Sequence, residues 1–330
     1  MNAEIQTMTL YKNCETTLQN EIPCVGIGLH SGQKIHMVLK PAAIGTGVVF
    51  VRTDITDKDN RIPAKYNYIV DTRMNSCLGN EAGVTVSTIE HLMGALGGMG
   101  VTNVIVELDG PEVPLMDGSA QDFVTLIECA GIMKQDAPLK AIKILKEVCF
   151  NDGKGAEVCL YPQEMGLSID FMIDFPKSRA IGRQEYSVNL TPRAFKDSVA
   201  YARTFGFVHE IEMLRSMGLA RGATLENAVA IQGDKVLNPE GTRSENEFVV
   251  HKTLDAVGDL YQLGMPIIGH FYGTKSGHMH TNTLLRQLMA DTSAYEIVVL
   301  DDYQESLVSA VRRSAADRAT STTRSSVRAS

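Results

Sequence analysis

Two short segments of the chain place histidine beside carboxylate at spacings that could bind a metal ion. The first is STIEH, residues 87–91, where a predicted strand leads into a predicted helix. Glu90 would then serve as a base next to a metal ligand, His91, in the first helical turn, where the helix dipole favours negative charge. The segment also fits a capping box, because Ser87 stands three residues before Glu90. Both interpretations stay open from this segment alone.

The second segment is HKTLDAVGD, residues 251–259. If it is helical, His251, Asp255 and Asp259 follow the spacing i, i+4, i+8 and lie on one face. A histidine and a carboxylate one turn apart are suited to zinc. The same pair could instead form an ordinary ion pair on a solvated face, so this motif also has two interpretations.

A third candidate group is the histidine of KSGH, residues 275–278. His278 follows a glycine after a predicted strand, which is a common setting for a proton-transfer group; a surface histidine is the alternative. The segment GIGLHSG, residues 26–32, nearly matches G-x-G-x-x-G, but the residues after it predict a strand rather than a helix. A Rossmann dinucleotide site is therefore disfavoured.

In each half of the chain, strands followed by helices would position these residues. In the first half the hydrophobic pattern predicts strands at 34–39, 48–52, 84–88 and 102–109, and helices at 89–96 and 119–131. In the second half it predicts strands at 141–150, 156–162, 167–175, 266–273 and 295–301, and helices at 191–202, 244–263 and 283–290. The polar stretch 133–140 is the predicted linker. We therefore expect an α+β protein with domains at 1–135 and 136–311, each a sheet packed on helices.

The composition excludes several classes of protein. The chain has 330 residues, of which 44% are hydrophobic and 21% charged, and its net charge is -8. This indicates a globular protein and disfavours general nucleic-acid binding, which depends on positive charge. No apolar run approaches the roughly 18 residues that cross a bilayer, and the first residues lack a signal-peptide pattern. We therefore expect a cytoplasmic protein with no stable membrane insertion.

Two further features follow from residue types. The six cysteines form no C-x-x-C pair, which predicts free, mostly buried thiols and leaves histidine and carboxylate as the candidate metal ligands. Residues 312–330 are rich in arginine and serine with almost nothing to bury, so we expect a disordered tail.

Taken in order, seven motifs of this chain resemble those of a single enzyme family. They are GLHSG (28–32), TIEHLMGAL (88–96), GPEVPLMDGSA (110–120), ARTFGF (202–207), ENEFVVHKTLDAVGDLY (245–261), IIGHF (267–271) and KSGH (275–278). The set resembles the UDP-3-O-acyl-N-acetylglucosamine deacetylases, zinc enzymes of bacterial lipid A synthesis, over nearly the whole chain. The resemblance implies two similar α+β domains with the active site between their helical layers. It also implies a UDP-sugar substrate that carries an acyl chain, and we expect a monomer.

The resemblance assigns roles to individual residues. It implies one zinc ion held by His91, His251 and Asp255. The implied catalytic residues are Glu90 as the base, His278 as the second proton-transfer group, Asp259 as the partner that orients and charges His278, and Thr204, which helps polarise the carbonyl. The implied substrate contacts are Lys252 near the phosphates, Phe205 in the sugar pocket, and Asp174 with Phe175 at the uridine.

An apolar insert at about 205–231 would line a channel for the acyl chain if the resemblance holds. Its candidate lining residues are Phe207, Ile211, Met213, Leu214, Met217, Leu219 and Leu225. The alternative is a helix that only covers the core, because Met and Leu at this spacing are common in packing. The chain departs from the family pattern at Met279-His280-Thr281, which leaves His280 as a candidate extra ligand or proton donor.

Two other functions compete with the deacetylase. A sugar-nucleotide binding protein of the same fold would need no catalysis, but Glu90, His91 and His278 are intact. A serine hydrolase would use Ser119 as the nucleophile, but no G-x-S-x-G elbow surrounds it, and Ser119 with Asp122 fits a helix cap.

Overall fold

The computed structural model describes residues 14–307 of the chain. The arginine-rich tail predicted at 312–330 lies outside these residues. Within residues 14–307, no helix is both long enough and apolar enough to span a bilayer.

The main sheet of the first half has five strands in the order β2-β3-β9-β4-β5. Their bounds are β2 Ile22–Ile27, β3 Lys34–Pro41, β4 Val48–Arg52, β5 Arg61–Pro63 and β9 Val104–Leu108. β4 and β9 run parallel, and the other neighbours are antiparallel. The alternation in β3 buries Ile35, Met37 and Leu39 on one face, as a half-buried strand should. The GLHSG segment links β2 to β3. A strand and not a helix therefore follows it, which excludes a Rossmann dinucleotide site at this segment.

Two small antiparallel sheets complete the first half. One pairs β1 Cys14–Leu18 with β10 Ile132–Pro138. The other consists of β6 Ile69–Asp71, β7 Cys77–Gly79 and β8 Thr85–Val86. The polar stretch predicted as a linker therefore lies mostly in a strand that pairs back onto the start of the described chain. Its backbone is satisfied by β1, which a polarity pattern does not reveal.

The main sheet of the second half has seven strands, and β19 lies at its centre, paired with β11, β13 and β14. The bounds are β11 Lys140–Ile144, β12 Val148–Asn151, β13 Glu157–Tyr161, β14 Leu167–Phe175, β15 Gly182–Leu190, β19 Ile267–Thr274 and β20 Tyr295–Val299. A third small sheet consists of β16 Phe205–Phe207, β17 Val229–Gln232 and β18 Lys235–Val236.

The helices include one in every predicted helical segment and one, at 208–216, that was not predicted. They are α1 Glu90–Met99, α2 Gln121–Ala130, α3 Pro192–Ser198, α4 Val208–Ser216, α5 Glu247–Leu260 and α6 His278–Ala290; Tyr66–Tyr68 and Tyr261–Leu263 form single 3-10 turns, and residues 300–307 are helical. Thr191 caps α3 by accepting a hydrogen bond from the Ala194 N–H at 2.9 Å. However, α3 ends before the predicted residue 202, and α6 begins at His278, five residues before the predicted start.

α1 from the first half lies directly against α5 from the second, and α5 also contacts β14 and β15 of the second main sheet. α1 is buried nearly all round, as a helix between two layers must be. The α+β fold of sheets packed on helices is thereby confirmed. The exact domain division near residue 135 stays a prediction.

The cysteines differ from expectation. Cys149 and Cys159 face each other across β12 and β13 and are joined in a disulfide. Of the four free cysteines in the described residues, Cys77 is buried and Cys129 is exposed. The prediction of free, mostly buried thiols was wrong because cysteines ten residues apart become neighbours only through strand register.

Candidate metal centre and active site

The site forms where α1 crosses α5, and two glycines allow that crossing. A Cβ atom placed on Gly258 would lie 2.0 Å from the backbone oxygen of Glu90, and one on Gly94 would lie 2.9 Å from Leu254 Cδ1. Real Cβ contacts are not this short, so only glycine permits the approach at Gly258. The close crossing brings the first turn of α1 against the face of α5 that carries His251 and Asp255.

His91, His251 and Asp255 converge as one buried group of ligand atoms. The Asp255 Oδ1 atom lies 3.5 Å from His91 Nε2 and 3.4 Å from His251 Nε2. Two ligands about 2.0–2.1 Å from a tetrahedral zinc ion are themselves about 3.3–3.4 Å apart. The spacing therefore matches ligands that share one ion, and the simple solvated ion pair considered for HxxxD is excluded by burial.

The hydrogen bond of the His251 ring leaves its Nε2 atom available to a metal ion. Its Nδ1 lies 3.1 Å from the Ala202 carbonyl oxygen, which can only accept, so Nδ1 carries the proton. The Nε2 lone pair then faces Asp255. Burial lowers the pKa of His251 to about 4, which keeps the imidazole neutral, the form that binds metal.

Asp255 presents one oxygen without a hydrogen-bond partner among the described residues. Its Oδ2 accepts from Lys252 Nζ at 2.6 Å, whereas the buried Oδ1 accepts no hydrogen bond from any residue of the described range 14–307. Burial by itself raises the pKa of Asp255, but attraction to His251 and Lys252 holds the pKa well below its usual range. A buried carboxylate oxygen is costly unless it meets a donor or a cation, so this oxygen fits a metal ion between the two imidazoles.

Glu90 stands beside this group and does not cap its helix. In the described structure the N-cap position of α1 is Ile89, which makes no side-chain cap bond, and Ser87 Oγ donates to Cys77 Sγ at 3.2 Å. The Glu90 carboxylate instead accepts from the Ser76 N–H through Oε2 at 3.0 Å. The capping-box interpretation is therefore wrong. Burial raises the pKa of Glu90, which suits a general base.

His278 is held on the other side of Glu90 by a carboxylate. Its Nδ1 lies 2.8 Å from Asp259 Oδ2, and its Nε2 lies 3.9 Å from Glu90 Oε1. Burial by itself lowers the pKa of His278, but the charge and hydrogen bond of Asp259 raise the pKa to about 9. The imidazole is therefore protonated at neutral pH, and its side chain is only 10% exposed, unlike that of a surface histidine.

A cavity of ≈ 280 Å³ opens over these groups. The predicted site residues that line it are Glu90, His91, Phe175, Thr204, Phe205, His251, Lys252, Asp255 and His278. Phe175 packs its ring on Phe205 with a centroid separation of 6.0 Å. Asp174 pairs with Lys275 at 2.9 Å, next to Phe175 at the end of β14. Residues from both halves of the chain thus enclose one space with the ligand group in its wall.

The family profile described as UDP-3-O-acyl N-acetylglycosamine deacetylase matches residues 15–290. The chain belongs to this family.

Curated relatives of the deacetylase family agree with that match. The UDP-3-O-acyl-N-acetylglucosamine deacetylase of Phenylobacterium zucineum is 49% identical over 272 residues, which are 82% of this chain and 92% of the relative. The enzyme of the same name from Acidithiobacillus ferrooxidans is 48% identical over 292 residues, 88% of this chain and 94% of the relative. That from Pseudomonas entomophila is 46% identical over 303 residues, 92% of this chain and 99% of the relative.

His280, at the departure from the usual deacetylase-family loop, does not belong to the group of candidate metal ligands among the described residues. Its Nδ1 accepts from the Gly277 N–H at 3.3 Å, and its Nε2 lies 3.5 Å from Asp152 Oδ2. Gly277 lies just before α6, and Asp152 lies in the turn between β12 and β13. The structure therefore gives His280 a helix-start contact and not the role of an extra ligand.

The apolar insert of this deacetylase-family chain is not a helix that covers the core. α4 lies wholly within the described residues and none of its residues is buried; Met213 is 57% exposed and Met217 68%. A second cavity of ≈ 560 Å³ lies beside it, and Met74, Met217 and Leu219 are among its lining residues. Met74 also lines the cavity over the metal ligands, so the two spaces adjoin.

Sequence reasoning missed three contributors to the site. The two glycines at the helix crossing stand in EHLMGAL and DAVGDL, where a small residue at one position of each helix is a usable signal for close packing. Ser76, which bonds to Glu90, carries no signal in the sequence, because nothing in MNSCL, residues 74–78, distinguishes it from a turn serine.

Proposed function

We propose that this protein hydrolyses the N-acetyl group of UDP-3-O-acyl-N-acetylglucosamine, releasing acetate and the free amine, in bacterial lipid A biosynthesis. The observation that carries the proposal is the buried ligand group of His91, His251 and Asp255, with Glu90 and His278 side by side at the same cavity. Membership of the deacetylase family supports the same reaction.

We infer that the resident metal is one zinc ion held by His91, His251 and Asp255. Two imidazoles and one carboxylate are a donor set that zinc prefers, with one position left for water or substrate. A bound zinc ion acidifies water and polarises a carbonyl oxygen.

Glu90 would take the proton from the water that attacks the acetamide carbonyl. Its Oε2 is held by the Ser76 N–H, so Oε1 is the oxygen available to the proton. The pKa of Glu90 is raised towards neutral pH, so its carboxylate is a stronger base than that of an exposed glutamate. The proton removed from water would then be carried by Glu90 Oε1, which lies 3.9 Å from His278 Nε2.

His278 would protonate the departing nitrogen. The carbon–nitrogen bond breaks easily only if the amine leaves as a neutral species, and a protonated imidazole supplies that proton. Asp259 keeps His278 charged through the 2.8 Å contact with Nδ1, so Nε2 carries the proton to be donated. The products are acetate and the glucosamine amine.

Thr204 would donate its hydroxyl to the oxygen anion that develops on the carbonyl. One well-placed donor of this kind is worth about 2.7–4 kcal/mol in the transition state. Phe205 would contact the sugar, Lys252 the phosphates, and Asp174 with Phe175 the uridine. Lys252 and Phe205 line the cavity, which supports their proposed contacts.

The acyl chain would lie in the second cavity, along Met217 and Leu219 of the insert. The exposed methionines and the shared wall at Met74 support this path, because Met side chains adapt to flexible apolar ligands. In this way an apolar cavity can shelter the acyl chain of a substrate that is partly lipid.

The competing functions find less support. A serine nucleophile is disfavoured because Ser119 is fully buried and donates to Asp117 at 2.7 Å. A non-catalytic binding protein would not need Glu90 and His278 together with an intact ligand group. A cytoplasmic location and a monomeric state stay predictions.

One experiment tests the function. Acetate release from UDP-3-O-acyl-N-acetylglucosamine is measured together with bound metal, before and after chelation and after zinc is restored. We expect loss of activity on chelation, recovery with zinc, and near-complete loss in Glu90→Ala with metal retained. Chelator-insensitive activity, or full activity in Glu90→Ala, would contradict the zinc amidase mechanism.

A further inference from the structure

We propose that Ser76 is a positioning residue of this active site, which determines the oxygen atoms of Glu90 and of Asp259 that face His278. The inference rests on the proposed deacetylase function, to which it adds a residue. Ser76 lies between β6 and β7 and is only 2% exposed.

Ser76 uses its backbone and its side chain on two different carboxylates. Its N–H donates to Glu90 Oε2 at 3.0 Å, and its hydroxyl donates to Asp259 Oδ1 at 2.6 Å. Its carbonyl oxygen also accepts from the Ile89 N–H at 3.4 Å, which ties the segment to the start of α1. The first two contacts reach the two carboxylates that flank His278.

These bonds leave one oxygen of each carboxylate for the imidazole. With Oε2 of Glu90 held, Oε1 lies 3.9 Å from His278 Nε2. With Oδ1 of Asp259 held, Oδ2 lies 2.8 Å from His278 Nδ1. A carboxylate that is free to rotate would lose this arrangement, and a fixed outer partner is how enzymes hold such groups in productive geometry.

The hydroxyl bond also crosses between the halves of the chain. Ser76 belongs to the first half, and Asp259 lies 183 residues later on α5. The bond therefore fixes the second-half carboxylate relative to Glu90 on α1. A second donor, Gln262 Nε2, reaches Asp259 Oδ1 at 3.1 Å, so removal of the hydroxyl weakens the hold without abolishing it.

The test compares three variants by steady-state acetate release. Ser76→Ala removes the hydroxyl but keeps the N–H bond to Glu90, and Ser76→Thr restores a hydroxyl. We expect kcat to fall about 10- to 100-fold in Ser76→Ala with KM little changed, as for other residues that orient catalytic groups. We expect Ser76→Thr to recover most of the activity. Ser119→Ala is the matched control, because Ser119 is a buried serine that also donates to a carboxylate. The kcat of the Ser119→Ala variant should stay near that of the unaltered protein.

A second measurement does not depend on turnover. In protein with ¹⁵N-labelled histidine, the Nδ1 proton between His278 and Asp259 gives a downfield resonance, assigned by its absence in His278→Gln. We expect this resonance to move or broaden in Ser76→Ala and to persist in Ser76→Thr and Ser119→Ala. An unaltered protein that releases no acetate would contradict the proposed function, while the resonance would still decide the role of Ser76. An unchanged resonance in Ser76→Ala, or a kcat equal to that of Ser119→Ala, overturns the inference.

Discussion

Replacement of Gly258 by alanine should separate the two helices that build the metal site. The added Cβ would lie 2.0 Å from the Glu90 backbone oxygen, whereas ordinary contacts begin at 3.4 Å, so α1 and α5 must move apart by about 1.4 Å. The contacted atom is backbone and cannot swing away. His91 lies on α1 and Asp255 on α5, and His91 Nε2 is 3.5 Å from Asp255 Oδ1. Separation of the helices would therefore move these two ligand atoms apart by about as much as the helices.

Two energetic effects oppose each other in this variant. Alanine is favoured over glycine inside a helix by about 1 kcal/mol. Overpacking of a tight contact costs about 1–3 kcal/mol and can cost more when backbone must move. We therefore expect a net loss of stability, and a misplacement of about 1 Å at reacting groups costs about 100-fold in rate.

The assay measures bound zinc after dialysis against a weak chelator, the melting temperature and acetate release. Gly94→Ala is the matched control at the same crossing, because its Cβ would meet the flexible end of Leu254 at 2.9 Å and its nearest backbone atom, the Leu254 oxygen, would be 3.3 Å away instead of 2.0 Å. We expect Gly258→Ala to lose zinc and about 100-fold in kcat/KM, and Gly94→Ala to lose much less. Equal zinc content and kcat/KM in Gly258→Ala and in the unaltered protein would refute the reasoning from the helix crossing.

Three further outcomes are expected. Glu90→Gln should lower kcat by about 10²- to 10⁴-fold, as expected on removal of a general base, while the zinc content measured by metal analysis stays unchanged. The pKa of His278 is raised to about 9, so kcat/KM should fall as the pH rises through that value and the protonated imidazole is lost. In Asp259→Asn the fall in kcat/KM should occur at lower pH. A pH profile that is the same in Asp259→Asn would show that the Asp259 contact does not raise the pKa of His278. Met217→Glu should raise KM for a long acyl chain far more than for a short one, and equal KM changes for both chains would contradict the channel.

The sequence predicts most of the secondary structure correctly where a strong local signal exists. α2 ends at Ala130, just before Gly131, whose positive φ of 75° suits glycine, and α5 follows the apolar spacing around His251. The early start of α6 was missed because its first turn, HMHT, has no apolar period. The strand at 132–138 was missed because its partner is β1, more than a hundred residues earlier in the chain.

The candidate ligands illustrate the same division. His251 and Asp255 are one helical turn apart, so the sequence by itself places them together once a helix is accepted. It does not decide between an ion pair and a metal site, since that choice depends on burial and on a third ligand from α1. Only the tertiary structure brings His91 to the Asp255 oxygen that has no hydrogen-bond partner within residues 14–307.

The sequence by itself determined the residue types, their local spacing and the motif order that marks the deacetylase family. The tertiary structure decided which of these residues meet. Glu90 could equally have been a helix cap, and its role as a candidate base follows from burial and from the Ser76 contact across a loop. The pairing of Cys149 with Cys159 depends likewise on strand register. The physical reason is that local spacing fixes neighbours along an element, whereas contacts between elements depend on how closely their surfaces can pack, which at this site is set by Gly258 against Glu90.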